Sequence, residues 1–194
     1  GLFGGDVPLA APAQSCDVGI TWADPAALTE PAPMLPTSNW VWAGPATSVT
    51  ERTWGGNLEI LQWTLAANQW MHPVEAYAGS VLLLETSEER PSPTEVYRMM
   101  RNLGERGILG AVAALLWARP PAGDHDVRPS AEQAAALRTA NREAVLRAMS
   151  EYAGDVPVVL DVDFGHTIPQ WVLPYGGEIT VDGARGEITA HFRR

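Results

Sequence analysis

Three short apolar runs, "SVLLLE" at 80–85, "AVAALLWA" at 111–118 and "VPVVLDV" at 156–162, are separated by stretches that open with helix-capping signatures. Runs this short and this rich in Val, Leu and Ala suit strands covered on both faces. Between the first two, "SPTE" puts Ser92 at the N-cap, Pro93 at the first helical position and Glu95 three residues after the cap. A helix is therefore predicted to about Arg106. "SAEQ" at 130–133 repeats the signature, and the Ala-rich stretch to Tyr152 is amphipathic through Ala134, Leu137, Val145, Leu146 and Met149. "NLEILQWTL" has helical spacing at Leu58, Leu61 and Leu65, and "EITVDGARGEITAHF" at 178–192 alternates with period two around a Gly-containing turn, a hairpin signal. Strands alternating with helices and ending in a hairpin predict an α/β domain with a partly parallel sheet.

The 194 residues fit one sizeable core. Residues 1–54 carry Pro8, Pro12, Pro25, Pro31, Pro33, Pro36 and Pro45, too many for long helices or central strands. They also carry Trp22, Trp40, Trp42 and Trp54, too much aromatic surface for a disordered linker. We read 1–54 as a Pro/Trp-rich interdomain or edge segment packed on an α/β half-domain at 55–194.

A net charge of -10 repels phosphate backbones and anionic bilayers, so neither nucleic acid nor a membrane is expected as a partner. The basic residues are all Arg, which excludes a P-loop lysine, a Schiff-base lysine and a Ser-Lys dyad. Cys16 stands alone, so no internal disulfide and no thiolate zinc site can form, as suits a reducing, cytoplasmic compartment. The apolar runs fall far short of the roughly 20 residues of a membrane span. The first residues lack the order of a signal peptide, and the chain opens at Gly1 rather than Met, as a processed or excised piece would.

The third apolar run ends in "DVDFGH", with Asp161, Asp163 and His166 at the C-terminal edge of a strand, where open α/β sheets bind ligands. Four apolar residues followed by D-x-D resemble a haloacid-dehalogenase nucleophile, but that chemistry needs a downstream lysine and none exists. A metal site of Asp161, Asp163 and His166 has no second histidine at ligand spacing, with His72 and His125 in unrelated segments, and strand alternation puts both aspartates on one face. No metal and no cofactor is expected. The third reading pairs His166 with Glu85: both follow buried strands, and if those strands neighbour each other the two side chains emerge at one edge. An acid that orients an imidazole is two thirds of a hydrolytic triad, whereas Glu85 is otherwise a surface acid near a helix start and His166 a turn residue. The nucleophile is missing: no G-x-S-x-G occurs, and Ser15, Ser38, Ser48, Ser80, Ser87, Ser92, Ser130 and Ser150 lie in loops, caps or the wrong end of a strand.

In order and spacing, "TWGGNLEIL" (53–61), "SVLLLETSEE" (80–89), "MMRNLGERGILGAV" (99–112) and "DFGHTIPQWVLPYGGEITVD" (163–182) resemble the C-terminal half of the LD-carboxypeptidase family of serine peptidases, which includes microcin C immunity peptidases. The resemblance runs from about Trp22 to the end. It implies a swivelling β/β/α-type fold with a partly parallel sheet and a C-terminal hairpin. It also implies a Ser-Glu-His triad divided between two domains, with Glu85 and His166 in this one. The serine and the oxyanion-hole glycine would lie in an N-terminal domain, so this chain alone is expected to be inactive. Implied substrates are the L,D bond of murein tetrapeptides, cut in cytoplasmic peptidoglycan recycling, or a peptidyl or aminoacyl nucleotide of the microcin type. Trp54 in "RTWGGNLE" is closer to the microcin side, and Trp22, Trp40 or Trp42 are available to stack on a base, although packing is the commoner use of Trp. Asn57 is a substrate-binding candidate whose plainer role is a helix cap. Family members often dimerise, so a homodimer is possible. The rival reading is a non-catalytic binding or interaction domain of the same fold.

Overall fold

The computed structural model describes residues 4–193; residues 1–3 of the proline-rich segment and residue 194 of the half-domain lie outside the described residues. In chain order the elements are β1 (Gly5–Leu9), the two-residue pair β2 (Gln14–Ser15) and β3 (Leu35–Pro36), β4 (Val41–Ala43), β5 (Ser48–Asn57) and α1 (Leu58–Ala67). There follow β6 (Val81–Glu85), α2 (Pro93–Glu105), α3 (Ile108–Ala111), β7 (Ala114–Ala118), α4 (Ala131–Tyr152), β8 (Val158–Val162), and the hairpin β9 (Glu178–Asp182) and β10 (Glu187–Phe192). Eight strands form one sheet in the order β1-β10-β9-β5-β6-β7-β8-β4.

Both capping boxes form. Ser92 accepts from Glu95 N while Glu95 accepts from Ser92 N, and Ser130 and Gln133 do the same at α4. The Ser92 hydroxyl and backbone hold the Glu95 carboxyl below the usual carboxylate range. "AVAALLWA" starts its strand only at Ala114, because Gly107 at φ 78 turns the chain into the short α3 first.

β5 joins two halves of the sheet. Its first residues pair antiparallel with β9, and Thr53–Asn57 pair parallel with β6. The boundary drawn between residues 54 and 55 thus falls inside a strand. Pro45 is the last proline before it, so nothing forbids a central strand there, while the prolines upstream are confined to loops, the first position of a 3-10 turn at Pro25–Leu28, the short β3 and the edge strand β1. Gly55 is required at the junction: at φ 144, a Cβ would stand 1.8 Å from Leu83 O.

β6, β7 and β8 run parallel, and β7 is buried along its whole length. One face carries Leu82, Leu84, Leu115, Trp117, Val158 and Leu160 against α1 to α4. The opposite face carries Val81, Leu83, Leu116, Val159 and Val162, covered by Ile179, Val181, Ile188 and Ala190 of the hairpin and by Trp40. The sheet curls so that its antiparallel end does on one face what the helices do on the other, burying both sides of the central strands. No helix among the described residues is long and apolar enough to cross a membrane.

Candidate active site

Three adjacent parallel strands each end in a charge at the same edge: Glu85 closes β6, Arg119 follows β7 and Asp163 follows β8. Glu85 and His166 meet there, with Glu85 Oε2 and His166 Nδ1 2.6 Å apart. The glutamate side chain is 12% exposed and the imidazole 43%, so the acid is sheltered and the base open. Since the carboxylate accepts, Nδ1 donates and Nε2 is left to take a proton. On the Nε2 side stands Glu88, its Oε2 3.5 Å away.

His166 reaches Glu85 because the loop after β8 packs tightly on the strand ends. A Cβ on Gly165 would lie 2.9 Å from Ala118 Cβ and 3.0 Å from Glu85 Cβ, so only glycine passes without displacing the acid. Three residues before the histidine, the fully buried Asp163 accepts from Arg119 Nε and from the Trp40 indole N–H, both at 2.8 Å. Arg119, itself 1% exposed, donates onward to the Ser38 carbonyl at 3.0 Å. Buried charges persist when they are paired and hydrogen-bonded, and this network fastens the start of the loop to β7 and to the 38–40 segment. Further along, Trp171 N donates to Asp163 O at 2.7 Å, Ile168 and Cys16 exchange two backbone bonds at 2.9 Å, and Thr53 N donates to Gly177 O.

Asp161 and Asp163 do not share a face, contrary to the alternation read from the sequence. Register slips between the β7 pairings at Val159 and Val162, and Asp161 sits in that bulge at φ 62. It turns to Arg142 of α4 at 2.6 Å, while Asp163 turns to Trp40. Asp161, Asp163 and His166 therefore do not converge, and among the described residues no group of three or more His, Cys, Asp or Glu is arranged to hold a metal ion.

Asn57 lies opposite Glu85 in the β5–β6 register. Its side-chain oxygen caps α1 by accepting from Ile60 N at 2.9 Å. Trp54 sits three residues back along β5, partly buried, with its ring 4.2 Å from that of Tyr77. Trp40 is committed to Asp163, Trp42 packs on the core, and Trp22 is 85% exposed. Glu88, Gly165 and the Arg119–Asp163–Trp40 network were not singled out from sequence. The available signal was "ALLWAR", a third buried strand ending in a charge.

Residues 50–181 match the family model of the LD-carboxypeptidase C-terminal domain. Among solved structures, the fold is similar to that of the microcin C7 self immunity protein MccF in complex with glutamyl sulfamoyl guanosine, with a TM-score of 0.73 and 21% identity over 97% of this chain and 51% of that one. An MccF-like protein from Streptococcus pneumoniae in complex with AMP gives 0.73 at 20% identity over 96% and 53%. An MccF-like protein from Bacillus anthracis str. Ames gives 0.71 at 15% over 98% and 52%. The chain spans about half the length of each of these proteins.

Proposed function

Because the chain belongs to the LD-carboxypeptidase C-terminal domain family, we propose that it supplies the glutamate and histidine of a Ser-Glu-His triad. The serine would come from an N-terminal half absent from this chain, which spans about half the length of its structural neighbours. The observation that carries this reading is the 2.6 Å contact between a sheltered Glu85 and an open His166.

In the proposed reaction the serine hydroxyl attacks the amide carbonyl and its proton passes to His166 Nε2. Glu85 holds Nδ1–H, fixing the tautomer and stabilising the imidazolium. As the C–N bond breaks, the same proton goes to the leaving amine. A water then repeats the sequence on the ester, giving a free acid and restoring the serine. Glu88 stands where nucleophile and leaving group must approach Nε2, so it has to swing aside as the two halves meet.

The substrate classes proposed are an L,D-linked peptide of the murein tetrapeptide type and an aminoacyl or peptidyl nucleotide. Two structural neighbours hold a sulfamoyl nucleoside and AMP, which favours the second class. Of the tryptophans considered, Trp22 keeps a free ring for stacking. Asn57, beside Glu85, is proposed to offer its amide nitrogen to the substrate; Trp54 supports that strand through Tyr77.

The test is amide hydrolysis of both substrate classes by this chain and by a protein with the N-terminal half joined ahead of Gly1. Turnover by the joined protein alone supports the divided triad and identifies the substrate. Saturable binding without turnover in the joined protein would instead make this a non-catalytic binding domain.

A further inference from the structure

The antiparallel end of the sheet carries a second imidazole with an acid on one nitrogen and a hydroxyl on the other. Along β9 and β10, Ile179, Val181, Ile188 and Ala190 turn into the core, so Thr180 and His191 turn to the opposite face of the sheet. His191 Nδ1 stands 2.7 Å from Asp6 Oδ1 of β1, and its Nε2 stands 2.7 Å from Thr180 Oγ1. Thr180 Oγ1 is in turn 2.7 Å from Thr50 Oγ1 of β5. The four side chains cross β1, β10, β9 and β5, which are neighbours in the sheet, in one unbroken hydrogen-bonded row.

With the imidazole neutral, the carboxylate sets the direction of every bond in the row. Asp6 only accepts, so Nδ1 donates to it; Nε2 then accepts from the Thr180 O–H, and the Thr180 oxygen accepts from the Thr50 O–H. A hydroxyl bonded to an imidazole that an acid orients is the arrangement that activates a nucleophile. When the Thr180 proton moves to Nε2 no bond in the row is lost, because the imidazolium donates to Asp6 on one side and to the Thr180 oxygen on the other. Glu178, opposite His191 in the β9–β10 register, is engaged by Arg193, which leaves Asp6 as the acid of this imidazole. The row is open to solvent: the side chains of Asp6 and His191 are 73% and 18% exposed, Thr50 is exposed and Thr180 half-buried. Arg52, two residues after Thr50 on the same face of β5, is also exposed and brings a positive charge beside the hydroxyls.

We propose that Thr180 is a nucleophile for small activated acyl esters, with His191 as its general base and Asp6 as the acid that positions the base. Thr180 Oγ1 attacks the ester carbonyl while its proton passes to His191 Nε2, and the oxyanion is met by the Thr50 hydroxyl and Arg52. The C–O bond to the leaving alcohol or phenol then breaks, the leaving oxygen takes that proton, and the acyl group stays as an ester on Thr180. Water cleaves this ester to the free acid, its proton returning through His191 to the Thr180 oxygen. The face of a sheet is shallow, so the donor is small and the rate rises in proportion to its concentration. All four residues belong to this chain and none contributes to the Glu85–His166 pair, so the proposal is independent of the divided triad.

The chain is incubated with p-nitrophenyl acetate, quenched in acid, and the acetylated residues are located by peptide mass spectrometry. The expected result is acetyl on Thr180. His191→Gln keeps hydrogen-bonding groups at that position but takes no proton, and should slow acetylation of Thr180 at least about 100-fold; Asp6→Asn should slow it at least about tenfold, the lower range for a general base and its orienting acid. Asp6→Asn lies on the exposed edge strand and remains informative where His191→Gln loosens the hairpin. No acetyl on Thr180, or labelling there undiminished in either variant, would overturn the proposal.

Discussion

Replacing Arg119 by Met tests whether the buried ion pair holds the histidine loop in place. The guanidinium is 1% exposed and donates to Asp163 at 2.8 Å and to the Ser38 carbonyl at 3.0 Å. Its removal leaves the Asp163 carboxylate fully buried with only the Trp40 N–H, at 2.8 Å, as a side-chain partner. Breaking a buried pair from one side costs about 3–5 kcal/mol, which for a domain of this size lowers Tm by roughly 6–20 °C. The double variant Arg119→Met/Asp163→Leu removes the stranded charge as well. It should lose only about 1–3 kcal/mol, from the orphaned buried Trp40 N–H, because Ser38 is exposed and water can take over its carbonyl, and so be more stable than the single variant. Urea unfolding of both variants, with the His166 ring resonances followed by NMR, checks the ordering. A single variant that loses less than about 1 kcal/mol, or a double variant less stable than the single one, would refute the reasoning.

Gly165→Ala should cost about 1–3 kcal/mol through overpacking against Ala118 and Glu85, and the NMR signature of the Nδ1–H bond to Glu85 should weaken with it. Gly55→Ala adds a Cβ 1.8 Å from Leu83 O at φ 144; clash and backbone strain together should cost at least about 3 kcal/mol, read as a lower denaturation midpoint or loss of soluble protein. Ser130→Ala breaks the α4 capping box and should lower stability by about 0.5–2 kcal/mol in urea titrations. For Glu95 the folded pKa lies below the unfolded one, so its cap contributes stability above the unfolded carboxylate pKa and loses it as pH falls through the lowered value; Ser92→Ala should raise the Glu95 titration seen by carboxyl NMR.

The helices and the central parallel strands were legible because their signals are local. Capping residues mark α2 and α4, and short, mostly apolar runs mark β6, β7 and β8. The Glu85–His166 contact was anticipated for neighbouring strands, but β7 lies between β6 and β8, and it is the loop after β8 that carries the histidine across. β5 was hidden because Gly55 and Gly56 interrupt its alternation, and those glycines answer to the close approach of Leu83 rather than to any local preference. The Asp161 bulge was equally invisible, since a period-two reading cannot register one extra residue. The partnership of Arg119 with Asp163 and Trp40 links residues 44 and 123 positions apart, and such pairings arise only once the curled sheet closes.

The sharpest test of the divided triad is amide hydrolysis by the protein carrying both halves, compared with its Glu85→Gln and His166→Ala variants at matched folded fraction. The account predicts that each substitution lowers kcat by at least about 100-fold, the usual weight of a positioned general base and its orienting acid, with Tm little changed. Variants that keep activity within about tenfold of the unsubstituted protein would contradict it, and would place the acid-base chemistry on residues outside this domain.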